Sequence, residues 1–185
     1  MRRVEPFPAL PLRGVAGSHF HALSRSIIYQ QLAGAAARTI HDRVRALTPG
    51  PRFPTAEQIL GLSDARLRGA GLSAGKLASL RDLAERSLDG RLKLRGIDRH
   101  DDEEIIEHLV EVRGIGRWTA QMFLMFRLGR LDVMPAGDLG VREGLRRLDG
   151  LRERPSEQAV LARAEVWAPL RSVAAWHLWR ATELP

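Results

Sequence analysis

The sequence predicts an all-α protein, and three observations carry that expectation. From Ser18 onward the apolar residues recur at helical spacing, as along Leu77, Leu80, Leu83, Ala84 and Leu88. No segment shows a run of β-branched residues in strand register. Residues suited to start helices, and glycines or prolines suited to stop them, stand at the edges of the periodic segments. At 185 residues, 44% of them hydrophobic and 28% charged, the chain is sized for one compact domain or two small lobes sharing a cleft, with no room for a separate cofactor module.

After a Pro-rich lead-in, Ser18 caps a helix through Phe20, Leu23, Ile27 and Ile28, and a second helix from Ala35 carries Ile40, Val44 and Leu47. Gln30-Gln31-Leu32 falls at their junction. Thr48-Pro49-Gly50-Pro51 breaks the chain before short helices at Thr55 to Leu60 and Ser63 to Gly69. Ser73 starts an amphipathic helix that Asp89-Gly90 stops. Asp101-Asp102-Glu103-Glu104 suggests a metal cluster at first sight, but four acids opening a helix are what the helix dipole favours. Helices at Trp118 to Leu128, Asp138 to Leu148, Ser156 to Trp167 and Leu170 to Thr182 complete the prediction.

The absence of cysteine excludes a disulfide scaffold, a thiol nucleophile, cysteine-ligated zinc and an iron–sulfur cluster. No apolar stretch is long enough to span a bilayer and Met1 to Pro6 lacks the apolar core of a signal peptide, so a soluble, cytoplasmic protein without membrane contact is expected. The net charge of +7 comes mostly from arginine, whose guanidinium fork matches phosphate oxygens in pairs, so polyanions are the natural partner. Genomic composition inflates arginine as well, and charge alone leaves nucleic-acid binding open. The six histidines contain no zinc-protease spacing, and no metal site is expected.

The segment Leu109 to Ala120 joins two helices through a turn with Gly114 and Gly116 two apart. Glycines there allow positive φ and remove side-chain bulk, so successive backbone N–H groups at the start of the second helix can face a phosphate. Such a grip holds a duplex without reading its bases, while Ile115 anchors the turn in the interior. The two helices, the glycine spacing and the following Thr119-Ala120 resemble the helix-hairpin-helix motif. Further on, Leu131 to Asp138 is a Gly/Pro loop delivering one carboxylate, Asp138, to a helix start, where it also suits a plain N-cap.

A helix-hairpin-helix followed by a Gly/Pro loop and an Asp resembles the superfamily of base-excision DNA glycosylases. Ile27-Ile28-Tyr29-Gln30-Gln31-Leu32-Ala33 and Arg171 to Trp179 are similar to segments of its 3-methyladenine DNA glycosylase II family, so the likeness covers about residues 18 to 182. The resemblance implies a helix-hairpin-helix glycosylase domain over 18–182, with helical lobes at about 35–110 and 18–34 plus 111–182 flanking an active-site cleft, and a lead-in 1–17 packed on it. It implies a short form lacking the family's amino-terminal β domain. Its partner would be double-stranded DNA containing damaged bases, its state a monomer associated with the nucleoid when bound.

By the same resemblance Asp138 is the catalytic carboxylate, Leu32 the wedge that fills the hole left by the flipped nucleotide, with Gln31 beside it. Arg113, Gly114, Ile115, Gly116, Arg117 and Thr119 form the phosphate-binding hairpin. Trp118, Tyr29, Met122 and Trp179 line the base pocket, although Trp179 also fits a core position and Met122 stands where the family's pattern has tyrosine. Trp118 occupies the place of the lysine that attacks the sugar in strand-cutting relatives, and the only lysines, Lys76 and Lys93, lie far from the motif in sequence. Hydrolysis without strand cleavage is therefore expected. The indole also attracts a cationic alkylated purine by cation–π contact. No cofactor is required, and the hairpin carbonyls are able to hold a monovalent cation, as in relatives. A non-catalytic module that binds bent or damaged DNA remains the alternative, since it needs the hairpin and has no use for Asp138.

Overall fold

The structure is a computed structural model and describes residues 7, 8 and 17–183. Among them every regular element is helical. Two compact units account for these residues, one within Gly14–Phe123 and one within Leu124–Pro185 together with Phe7 and Pro8. This division falls at different residues from the lobes expected from the sequence, because the helix at His19–Tyr29 packs on those at Ala74–Leu88 and Gly34–Arg45.

In the Gly14–Phe123 unit, α1 (His19–Tyr29) is capped by the Ser18 side chain, which accepts from the His21 N–H. α2 (Gly34–Arg45) follows after the Gln30–Ala33 turn. The short α3 (Ala56–Gly61) opens on a reciprocal Thr55/Gln58 capping box and α4 (Asp64–Gly69) on Ser63. The central α5 (Ala74–Leu88) receives α1, α3 and α4, and its buried Leu80 and Leu83 share the core with Leu23, Ile27 and Ile59. A 3-10 turn at Ile97–Arg99, which periodicity does not reveal, precedes α6 (Asp102–Val110). The acids there form a capping box between Asp101 and Glu104, so they serve the helix start as expected from the dipole.

α7 (Arg117–Met122) is shorter than predicted. At Phe123–Leu128 the chain opens into a π-helical turn where the sequence suggested one continuous helix. Phe123, Leu124 and Met125 are all buried, and three consecutive inward side chains suit a wider turn better than the ~100° steps of an α-helix.

In the other unit, α8 (Leu139–Leu148) packs against α10 (Arg171–Ala181), and α9 (Glu157–Ala164) lies beside α8. α9 ends in a 3-10 turn at Glu165–Trp167, where the sequence predicted a continuous helix. The α8–α10 approach is close because position 144 has no side chain: a Cβ on Gly144 would overlap the Leu178 carbonyl. Val141, Leu145, Ala175 and Leu178 fill the seam. Of the lead-in 1–17 only Phe7, Pro8 and Gly17 are described, and Phe7 meets Trp176 edge-on at 6.2 Å; the rest of that expectation lies outside the described residues. No helix among the described residues is long and apolar enough to cross a membrane.

Candidate nucleic-acid interface and carboxylate site

The hairpin between α6 and α7 is seated on the Gly14–Phe123 unit by polar contacts from α5 and from the residue that follows α1. Asp82 of α5 accepts the Arg113 backbone N–H at 2.7 Å. Gln30, just after α1, donates from Nε2 to the Gly114 carbonyl at 2.9 Å and to Thr119 Oγ1 at 3.4 Å. Gly114 has φ +78°, and a Cβ there would stand 2.5 Å from Ser79 Oγ, so both conformation and space demand glycine. Gly116 differs from the expectation of positive φ: it is the extended N-cap of α7 at φ −95°, and nothing lies within 4 Å of where its Cβ would be. Its contribution is an uncovered backbone surface at a helix start, where N–H groups point outward.

The side chains expected to form this hairpin divide by burial. Ile115 is 3% exposed and anchors the turn, and Thr119, at 6%, faces Gln30, so its hydroxyl supports the hairpin from inside. Arg113 and Arg117 are at the surface. Arg117 makes a bidentate pair with Glu103 at 2.6 and 2.7 Å, which holds the Glu103 carboxyl below its usual range and raises the guanidinium. Both partners are more than half exposed, so the pair is weak.

The predicted pocket residues of this unit meet. Tyr29, Gln31, Trp118 and Met122 line one cavity of about 500 Å³ together with Gly114 and Thr119. Trp118 is 49% exposed, a large apolar side chain at the mouth of that cavity. One face of Tyr29 is already covered by the Arg25 guanidinium, 4.1 Å from the ring centroid. Gln31 adopts φ +55° in the α1–α2 turn, and Leu32 beyond it is 38% exposed, a large apolar side chain held at the surface by a tight turn. Lys76 lies nearer the motif than its sequence position suggests: it lines a cavity of about 340 Å³ with Arg113 and Gly114. Its ammonium is committed to the Ile28 carbonyl at 2.7 Å, and burial lowers its pKa.

Asp138 and Trp179 belong to the other unit, and there they touch. Asp138 caps α8, its Oδ1 accepting the Val141 N–H at 2.8 Å, and the same oxygen accepts Trp179 Nε1–H at 2.7 Å. Trp179 stacks on Phe126 at 6.1 Å, so one face and one edge of the indole are occupied. The loop leading to Asp138 is clamped by the start of α10. Arg171 holds Asp132 through two 2.7 Å contacts, and the buried Ser172 hydroxyl accepts from the Val133 N–H and donates to the Arg130 carbonyl. Gln30, Asp82, Ser79 and Gly140 were not identified as site residues from sequence. Gln30 carried a signal, as the partner of Gln31 in the same turn; the others act through tertiary contacts that no local pattern announces. Among the described residues no three His, Asp or Glu side chains gather as a metal site.

Comparison with known proteins agrees with this architecture. Residues 24–169 match the model of the HhH-GPD superfamily base excision DNA repair protein family. The chain is 40% identical over 166 residues to DNA-3-methyladenine glycosylase 1 of Schizosaccharomyces pombe, covering 89% of this chain and 73% of that protein. The solved structure of the S. pombe 3-methyladenine DNA glycosylase in complex with abasic DNA superimposes with a TM-score of 0.81 at 37% identity, over 98% of this chain and 87% of that one. A DNA-3-methyladenine glycosidase structure from Bacillus halodurans gives 0.82 at 38% identity, over 90% and 76%.

The Arg171 guanidinium holds the Asp132 carboxyl below the usual carboxylate range, chiefly by hydrogen bonding. Stability from this pair is therefore present above about pH 4 and lost as pH falls through the lowered value. Asp132→Asn is expected to cost roughly 1 kcal/mol at pH 7, an amount limited by partial exposure of both groups, and to flatten the acid limb of a urea-denaturation pH profile. An unchanged acid limb would show that the clamp contributes nothing. With hairpin, Gly/Pro loop and capping aspartate all in place, the chain belongs to the HhH-GPD superfamily of base excision DNA repair proteins.

Proposed function

We propose that this protein is a monofunctional DNA glycosylase that flips an alkylated purine of the 3-methyladenine or 7-methylguanine type out of duplex DNA and hydrolyses its N-glycosidic bond, leaving an abasic site. The observation that carries the reading is the one carboxylate at the end of the Gly/Pro loop, Asp138, held by two donors at the start of α8. The names of the glycosylases this chain is similar to support the same activity and the same class of lesion. Breaking the bond from base to deoxyribose builds positive charge on the sugar, and a fixed carboxylate stabilises that charge and orients water. A methylated purine already carries positive charge, so it leaves without a general acid.

The remaining roles follow from chemistry. Trp118, half exposed on its cavity, offers a π face to the cationic base, with Tyr29 and Met122 beside it and Trp179 acting next to Asp138. Leu32 and Gln31 enter the duplex as wedge and neighbour. The backbone at Gly114 and Gly116, with Arg113 and Arg117, grips phosphate on a monomer bound to double-stranded DNA. Lys76 is spent on the Ile28 carbonyl, which favours water over an amine as nucleophile. A monovalent cation at the hairpin would share the Gly114 carbonyl with Gln30, and no step is assigned to it. Nothing in this chemistry calls for a cofactor.

Purified protein is expected to release 3-methyladenine or 7-methylguanine from methylated duplex DNA. Asp138→Asn should slow release by at least ~100-fold while sparing duplex binding. Equal release by the variant removes Asp138 from the chemistry, and salt-sensitive binding with no release from any methylated base returns the chain to a binding module. Trp118→Ala should slow excision about 2- to 30-fold, the equivalent of ~0.5–2 kcal/mol, with little change in binding to undamaged duplex. A variant that matches wild type takes Trp118 out of the pocket.

A further inference from the structure

We infer that Trp179 is a positioning residue: its indole N–H sets the orientation of the Asp138 carboxylate, and Gly140 is the residue that allows it to do so. The inference rests on the catalytic reading of Asp138 and goes further, because it assigns work to the edge of the Trp179 ring where a base-pocket role would use its face.

Three observations converge on it. First, Asp138 needs no second donor to cap its helix. The Val141 N–H already reaches Oδ1 at 2.8 Å, which satisfies the capping requirement. Trp179 Nε1–H adds a 2.7 Å bond to the same oxygen from a different helix, α10, so one oxygen is fixed from two directions and the carboxylate loses rotational freedom. Second, the indole that makes this bond is itself held, stacked on Phe126 with an interplanar angle of 29°. Third, the first turn of α8 is cut away for it. A Cβ on Gly140 would stand 2.8 Å from Trp179 Cδ1 and 3.1 Å from Asp138 Oδ1, so an alanine there would push on the donor ring and on the acceptor together. Gly140 is helical, and glycine in a helix is unfavourable relative to alanine, so local propensity gives no reason for it. The contact with Trp179 does.

A carboxylate that must meet a short-lived cation gains from being set before the reaction, since misplacement by about 1 Å can cost ~100-fold in rate. The N–H bond and the glycine notch supply that setting. A purely packing role for Trp179 makes a different prediction, because phenylalanine keeps an aromatic ring against Phe126 and removes the donor, while Gly140→Ala disturbs the bond with the indole intact.

The experiment compares wild type, Trp179→Phe, Gly140→Ala and the double variant in single-turnover release of 7-methylguanine at saturating enzyme. Affinity for duplex containing an abasic-site analogue and thermal melting are measured alongside. Trp179→Phe is expected to slow release roughly 10- to 100-fold with duplex affinity unchanged within about twofold. Gly140→Ala should do the same without altering the indole chemically, and the double variant should be no slower than the slower single variant, since both disable one contact. Trp176→Phe, which alters a neighbouring indole on α10, should stay within about twofold of wild type. In ¹⁵N-edited NMR, the Trp179 indole N–H signal should move in Asp138→Ala, a readout independent of activity that survives even if one of the kinetic variants folds poorly. An active wild type beside a Trp179→Phe variant of equal rate overturns the positioning role alone, as do fully multiplicative losses in the double variant or an unmoved indole signal. A wild type that releases no methylated base defeats the catalytic reading, and this inference with it.

Discussion

The helix pair α8–α10 stands closer than side chains on both surfaces would permit, and the arrangement of the carboxylate depends on that closeness. Gly144 lets the α10 backbone approach, and Gly140, one turn earlier, lets an indole from α10 slide over the start of α8 to reach Asp138. Further along the chain, Arg171 and Ser172 at the other end of α10 clamp the loop that leads into Asp138. One helix thus fixes both the approach to the carboxylate and the carboxylate itself. Side-chain packing alone would not give this precision, because an aspartate has little apolar surface by which to be held; hydrogen-bond donors in fixed directions are the means available.

The hairpin follows the same logic with different parts. Only glycine fits at position 114, since φ is positive there and Ser79 occupies the space a side chain would need, and the turn's backbone is tied to α5 through Asp82 and to the end of α1 through Gln30. Gln30 therefore links the hairpin to the turn that carries Gln31 and Leu32. The turn is thereby held by side chains from outside its own segment, while Arg113 and Arg117 stay at the surface.

Much of this was legible in the sequence. Helical periodicity and capping residues located the helices, because a cap such as Ser18, Thr55 or Asp138 acts within its own turn. The hairpin and the Gly/Pro loop were legible for the same reason. The π-helical turn at Phe123–Leu128 was not, since it answers to burial of three successive side chains. Gly116 was credited with a positive φ that only Gly114 adopts: spacing identifies a glycine turn but does not say which residue bends it. Sequence separation places Lys76 far from the hairpin, and folding brings it to a cavity shared with Arg113 and Gly114. Trp179 was legible as an aromatic near the site, yet whether its face or its edge is used depends on a contact across 41 residues.

The central claim is that the Asp138 carboxylate stabilises positive charge on the sugar. The most direct measurement compares the affinities of wild type and Asp138→Asn for two duplexes, one with a cationic pyrrolidine in place of the deoxyribose and one with a neutral tetrahydrofuran. Wild type is predicted to bind the cationic duplex at least ~100-fold more tightly, as expected of a transition-state mimic, and the preference should largely vanish in the variant. Equal affinity of the wild type for both duplexes, or a preference that persists unchanged without the carboxylate, would contradict the account.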